Sequence, residues 1–339
     1  MIVRQLFDYD TWTYTYLIAG ARGSEAVLID PVLDKVDRYL QLLEELNLKL
    51  VKVIDTHVHA DHITGMGALR DRTQCITIMG EQSKVNVVSQ RVVDGDIIEV
   101  SGVRMEAIYT PGHTDDSYCF TLENRVFTGD TLFIRGTGRT DFQNGDPGTQ
   151  YDSIWNRLLT LPEETLVYPG HDYKGDTIST IGEEKRFNPR LQVGSREEYI
   201  DLMNNLNLEN PRYMDVAVPA NLKIGLSQED IDGRHWAIDA ETIRQRLVED
   251  SILLIDLREK SERARKGSIE PSLHSPYNEL DMTLVPGGLL FELIKSSDKE
   301  IVFYCAYGER SAMALQRSRE LGLSHTYHLK GGIDSYLSL

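Results

Sequence analysis

Six consecutive residues concentrate metal-binding chemistry: His57-Val58-His59-Ala60-Asp61-His62, an H-x-H-x-D-H run directly after the apolar stretch ending at Ile54. Imidazole and carboxylate suit borderline metals such as zinc or iron. Adjacent rings on one tight loop cannot all reach a single small ion, so a complete site needs distant partners. His113 in Thr110-Pro111-Gly112-His113, Asp130 in Phe127-Thr128-Gly129-Asp130 and His171 in Pro169-Gly170-His171 each follow an apolar run and a glycine-containing turn. A lone buried histidine is usually a hydrogen-bonded core residue. Here His57, His59, His62, His113 and His171 are five of the nine histidines and share three such segments, which points to a metal. A second reactive feature is Cys305-Ala306-Tyr307-Gly308-Glu309-Arg310-Ser311, set between a strand-like run and a helix-like one. Backbone N–H groups and a helix N-terminus around the sulfur would favour a thiolate, with Arg310 adding positive charge. Taken alone, the same cysteine also fits a buried structural role.

These residues need strands to hold them. Residues 14–18, 26–29, 50–54 and 97–100 are β-rich runs bounded by turn residues. Between the second and third, Val32, Leu33, Val36, Tyr39, Leu40, Leu43 and Leu46 recur at helical spacing. Asp30 and Asp55-Thr56-His57 follow strand ends, where an α/β scaffold presents polar groups to a cleft. Phe187-Asn188-Pro189 marks a break between helical segments. From Asn221 to Arg234 the chain is polar and reads as a connection, after which a second α/β rhythm begins. Helices are predicted over 240–247, 289–294 and 311–321, and strands over 252–256 and 301–304. The predicted domains are therefore residues 1–235 and 236–339.

The bulk properties limit the classes. With 36 basic and 53 acidic residues, the net charge of -17 argues against a nucleic-acid binder. No apolar run is long enough for a membrane span, and the N-terminal residues do not read as a signal peptide. Cys75, Cys119 and Cys305 are odd in number and widely spaced, which speaks against a disulfide scaffold and for a reducing cytoplasm. Cys75 and Cys119 lie in strand-like surroundings and need no special role. A homodimer stays open.

The histidine and aspartate segments resemble the metallo-β-lactamase superfamily, and within it the persulfide dioxygenases. The resemblance covers residues 1–220 through WTYTYLI at 12–18, THVHADHITG at 56–65, TPGHTDDS at 110–117, FTGDTLFIRGTGRTDFQNGD at 127–146, YPGHDYKG at 168–175 and NPRL at 188–191. It implies an αββα sandwich with one Fe(II) per chain, held by His57, His113 and Asp130 with coordination positions left open. His59, Asp61, His62 and His171 would be nearby non-ligands that orient ligands and hold water or protons. Tyr173 resembles the family tyrosine near the substrate, and Arg190 resembles the arginine that meets a glutathione carboxylate; a salt bridge is the plain alternative for Arg190. Arg135 and Arg139 would organise the loop around Asp130. Some relatives carry cysteine where this chain has Thr137, which leaves the iron reading intact. The substrate implied is glutathione persulfide, oxidised with O2 and water to sulfite and glutathione.

Residues 240–339 look like a rhodanese domain, in which Ile255-Asp256-Leu257-Arg258-Glu259 matches the D-x-R-E signature and Leu329-Lys330-Gly331-Gly332-Ile333 the late glycine pair. The departure is Gly267-Ser268-Ile269-Glu270-Pro271-Ser272, where relatives commonly have Gly-His-Ile-Pro-Gly-Ala. The resemblance implies a Cys305 persulfide, with Arg310 beside it, passing sulfur between thiosulfate and glutathione. Two other readings compete. A binuclear glutathione-thioester hydrolase of the glyoxalase II kind would use all seven metal-loop residues as ligands, and a sensor would bind persulfide at Cys305 without turnover.

Overall fold

In the computed structural model, residues 1–85, 88–206, 208, 214–223 and 236–339 are described. The chain forms two compact units, Met1–Asn86 with Arg91–Ile224, and Val87–Gln90 with Gly225–Leu339. Most of the predicted connection, and residue 235 at the predicted boundary, lie outside the described residues.

The first unit is a sandwich of two six-stranded sheets. One runs in the order β1 (Ile2–Asp8), β2 (Thr13–Ala19), β3 (Glu25–Ile29), β4 (Lys49–Ile54), β5 (Ile76–Gly80) and β6 (Gln90–Val92). The other places β7 (Ile97–Val100), β8 (Val103–Tyr109), β9 (Tyr118–Leu122), β10 (Arg125–Gly129), β11 (Leu166–Pro169) and β12 (Ser179–Thr180) side by side. Every residue of β2 and of β5 is buried, as expected for strands covered on both faces. Tyr16 of β2 meets Phe127 of β10 with ring centroids 5.0 Å apart, and its hydroxyl donates to the Pro169 carbonyl at 2.6 Å.

Helices close the outer faces. Val36–Glu45 buries Val36, Tyr39 and Leu43, the stripe its spacing predicts. Ile154, Leu158, Ile181, Leu191, Tyr199 and Met203 pack with Val126 and Val167 from the second sheet. The result is the αββα sandwich expected from the motifs.

Parallel pairing explains where the chemistry lies. β3, β4 and β5 run parallel, as do β10 and β11. The segments beginning at Asp30, Asp55, Asp130 and Gly170 therefore leave their sheets at the C-terminal ends of parallel strands.

The second unit has one parallel sheet in the order β13 (Ala237–Ile238), β17 (Thr326–Leu329), β16 (Glu300–Tyr304), β14 (Ile252–Asp256) and β15 (Ser272–His274). Its strands alternate between two cores. Ile301, Phe303 and Ile255 join Leu290, Phe291 and Ile294 on one face, while Val302, Tyr304 and Leu254 join Ile243 and Ile333 on the other. This is the rhodanese-like α/β arrangement predicted. The helix read over 311–321 begins earlier, at Glu309, and runs to Glu320. No helix among the described residues is long and apolar enough to cross a membrane.

Candidate functional site

His57, His113 and Asp130 come together although 73 residues separate the first from the last. One ligating atom from each lies within 4.8 Å of the others, and all three side chains are buried. The neighbours set each donor's state. His113 Nδ1–H donates to the Arg139 carbonyl at 2.6 Å, which turns Nε2 toward Asp130 Oδ2, 3.6 Å away. Burial, with His59 adding to it, pushes the His57 imidazole well below its usual range and so keeps it neutral. Burial would raise the Asp130 carboxyl, but His171, His113 and His57 outweigh it and hold the group far below the carboxylate range. Two imidazoles and one ionised carboxylate make a donor set suited to a divalent transition metal.

Around this trio the other predicted residues form a hydrogen-bonded collar. His171 reaches Asp130 Oδ1 through Nδ1 at 2.7 Å and Asp61 Oδ2 through Nε2 at 2.8 Å. Despite its burial, the two carboxylates hold its pKa well above the usual value. His62 Nδ1 meets Asp61 Oδ2 at 2.8 Å. His59 Nε2 meets Asp30 Oδ1 at 3.1 Å, and Asp30 outweighs burial to push His59 up to about 9. Asp30 also accepts from the Thr56 amide at 2.7 Å and its hydroxyl at 3.0 Å, which clamps the start of the histidine loop. His59, Asp61 and His62 form a second group with ligating atoms within 4.8 Å. In that group His59 Nδ1 and His62 Nε2 are buried without a hydrogen-bond partner.

Two of the trio, His113 and Asp130, line a cavity of about 690 Å³ together with Asp61, His171, Tyr173 and Arg190, among others. Tyr173 is 61% exposed and stacks on His171 with the rings 7° from parallel. Arg190 binds no carboxylate among the hydrogen bonds described. It donates through Nη1 to the carbonyl of Thr137 and, at 3.1 Å, to the Thr137 hydroxyl. The residue that departs from the family pattern thus anchors Arg190 at the cavity. Arg139 is held by Asp141 through two contacts of 2.6 Å, and Arg135 by Glu183 and Glu184. Gly138 lets that loop approach closely, since a Cβ there would lie 2.1 Å from the Asp130 carbonyl oxygen and 2.8 Å from His113 Nδ1.

Two participants were not legible in the sequence. Asn221, at the end of the helix Met214–Asn221, donates to the carbonyls of His59 (2.9 Å) and His62 (2.8 Å) and accepts from the Thr64 amide (2.9 Å). Nothing in the sequence near Asn221, which reads as connection, signals a partner so distant. Trp12, which the sequence shows only as the first residue of WTYTYLI, lines the cavity.

In the second unit Cys305 is fully buried at the end of β16 and accepts from the Gly308 amide at 3.1 Å. Its Sγ lies 3.6 Å from Ser311 Oγ, which in turn lies 3.3 Å from His328 Nδ1. Gly332 supports the loop from below: a Cβ there would meet the Ala306 carbonyl oxygen at 2.4 Å, and the Ile333 amide donates to the Cys305 carbonyl at 2.8 Å. Arg310 Nη1 and Nη2 donate to Glu262 at 2.7 and 2.6 Å, and Glu262, with Cys305 adding to it, outweighs burial and holds the guanidinium pKa above its usual value. The D-x-R-E signature supports that pair. Asp256 accepts from Arg258 at 3.0 and 2.8 Å, and Glu259 caps the helix Lys260–Lys266 that carries Glu262.

Comparison with known proteins agrees with this architecture. Residues 12–85 and 80–171 match the metallo-beta-lactamase superfamily, and residues 239–339 match the rhodanese-like domain. The mouse (Mus musculus) protein "Persulfide dioxygenase ETHE1, mitochondrial" is 46% identical over 233 residues, covering 67% of this chain and 89% of the mouse protein. The chain belongs to the persulfide dioxygenase family. The crystal structure of ETHE1 from Myxococcus xanthus is 56% identical, with a TM-score of 0.64, covering 66% of this chain and 98% of that one. A metallo-beta-lactamase structure from Staphylococcus aureus, 21% identical with a TM-score of 0.61, shares the fold over 97% of this chain and 98% of its own. The family match and the buried trio together support a mononuclear metal cofactor.

The expectation of a cytoplasmic protein is overturned, because the mouse member of the family is mitochondrial. Cys75, Cys119 and Cys305 are free and buried, which carries no information about which compartment holds the protein.

Proposed function

We propose that this chain is an Fe(II) dioxygenase that converts glutathione persulfide, O2 and water to sulfite and glutathione. Its second domain transfers sulfur through a Cys305 persulfide. The single observation that carries the first activity is the buried trio of His57, His113 and Asp130, two imidazoles and an ionised carboxylate within 4.8 Å. These three would hold one iron, and that iron would supply the open coordination positions and redox chemistry that sulfur oxidation requires. His171 is engaged on both ring nitrogens by Asp130 and Asp61, which supports its place as a non-ligand that orients Asp130. Arg190 and Tyr173 line the cavity where the thiol carrier would sit; a guanidinium fork suits a glutathione carboxylate.

In the second domain, the Gly308 amide at the N-terminus of the helix Glu309–Glu320 donates to the sulfur of Cys305, which would react as its thiolate. That thiolate attacks the outer sulfur of thiosulfate, the S–S bond breaks, and sulfite leaves with the bonding pair. Glutathione thiolate then takes the outer sulfur from Cys305, forming glutathione persulfide and restoring the cysteine.

One observation favours a second reading. His59 Nδ1 and His62 Nε2 are buried without a hydrogen-bond partner, which supports their serving as ligands of a second metal in a thioester hydrolase. Anaerobic purification with metal analysis, followed by oxygen uptake on adding glutathione persulfide, separates the two. About one iron per chain with oxygen consumption and sulfite release is expected. Two metals, no persulfide-dependent oxygen uptake and hydrolysis of a glutathione thioester would leave the hydrolase. Persulfide capture at Cys305 with no sulfite at all would leave a sensor.

A further inference from the structure

Trp12 ends the turn that joins β1 to β2, and its backbone lies in the left-handed region at φ 63°. Glycine occupies such a position without steric cost, whereas a bulky residue there is strained. The backbone around it is tied down. The Trp12 carbonyl accepts from the Asp172 amide at 3.2 Å, Thr13 pairs with His171 as an antiparallel bridge, and the Tyr14 amide donates to the Gly170 carbonyl at 2.8 Å. The backbone ties therefore fix the direction in which the Trp12 side chain leaves the chain relative to the His171 loop. Strain maintained in this way clusters at functional sites.

The indole's surroundings say what that function is. It is 43% exposed, so it adds little to the core. Its ring faces Tyr173 at 6.3 Å between centroids, and Tyr173 stacks on His171, which holds Asp130. Phe7 backs it at 6.1 Å. The rings of Trp12, Tyr173 and His171 thus lead to Asp130, while Arg190 and Lys174 provide cations lining the same cavity. A cavity of about 690 Å³ is far larger than two sulfur atoms need and is of the size that encloses a small organic molecule. Flat π faces beside cations suit a chain of peptide planes that ends in carboxylates.

We infer that Trp12 is a specificity-determining residue: with Tyr173 it forms a jaw that grips the peptide part of the thiol carrier and so selects peptidic persulfides over inorganic hydrogen disulfide. This rests on the dioxygenase reading for the reaction, though not for the binding step. Trp12→Gly removes the ring and the strain together, so binding is expected to fall without a comparable loss of stability.

The test uses the iron-loaded full chain, with Trp12→Gly and Trp12→Phe beside wild type. S-methylglutathione, which carries no transferable sulfur, is titrated by calorimetry. Oxygen uptake is measured with glutathione persulfide and with hydrogen disulfide, and each protein is melted. For Trp12→Gly, S-methylglutathione binding should weaken about tenfold, and KM for glutathione persulfide should rise more than kcat falls. The ratio of kcat/KM between the two substrates should drop about tenfold, and Tm should stay within about 2 °C of wild type or exceed it. Trp12→Phe should recover most of the binding. Unchanged S-methylglutathione binding, or a fall in Tm with binding that phenylalanine does not restore, would make the indole a structural residue and overturn the assignment. Trp12-dependent S-methylglutathione binding in a protein that consumes no oxygen would support the jaw and refute the dioxygenase reading.

Discussion

Arg310 has no exposed side-chain surface, and a guanidinium in that position must be balanced. Glu262 does so with two short contacts from a side chain that is 11% exposed. Burial alone would raise the Glu262 carboxyl, but the Arg310 charge and hydrogen bonds outweigh it and keep the pKa below the ordinary 4.5. A depressed carboxyl contributes stability that is fully present above 4.5 and is lost as pH falls through the folded-state value. Glu262→Ala is therefore expected to destabilise the second domain by about 3–5 kcal/mol at pH 7, because a buried cation loses its partner. The gap between variant and wild type should narrow below pH 4.5. Denaturant unfolding of both proteins at pH 7 and at lower pH checks it, and an equal gap at every pH would refute the account.

At the scale of elements, the metal site depends on a helix that supplies no ligand. Met214–Asn221 places Asn221 against the turn carrying His59, Asp61 and His62, where its amide satisfies two carbonyls and one N–H. Loss of those contacts leaves buried backbone groups unpaired and lets the turn relax. Outer partners of this kind commonly change metal affinity by about 10- to 100-fold. Asn221→Ala should accordingly weaken Fe(II) binding by at least about tenfold, measured by anaerobic titration against a chelator, while β2 to β5 keep their structure. Retained affinity would show that Asp30 and the strand ends suffice to hold the loop.

At the scale of the whole molecule, the two proposed chemistries would share one intermediate. With thiosulfate and glutathione supplied, the second domain would make the persulfide that the first would oxidise, so wild type should consume oxygen. Cys305→Ser should abolish that uptake while leaving uptake from added glutathione persulfide in place. His113→Ala should do the reverse, releasing sulfite from thiosulfate and accumulating persulfide without oxygen loss. An oxygen electrode with sulfite and persulfide assays reads all three, and a Cys305→Ser protein that still consumed oxygen with thiosulfate would exclude this route.

What the sequence determined by itself is the inventory of reactive groups and the strands that deliver them. The H-x-H-x-D-H run, the segments ending at His113, Asp130 and His171, and the Cys305 loop all follow apolar runs of strand character. Continuous apolar runs at 252–255 and 301–304, and helical spacing at 32–46, are local properties written in consecutive residues. Partners across the chain are not. That Asn221 holds the turn at His59, that Glu262 neutralises Arg310, that Trp12 faces Tyr173, and that His171 lies between two carboxylates were decided only by tertiary packing. Periodicity reports which face of an element is buried, but the partner is chosen by sheet order and by the requirement that every buried polar group be satisfied.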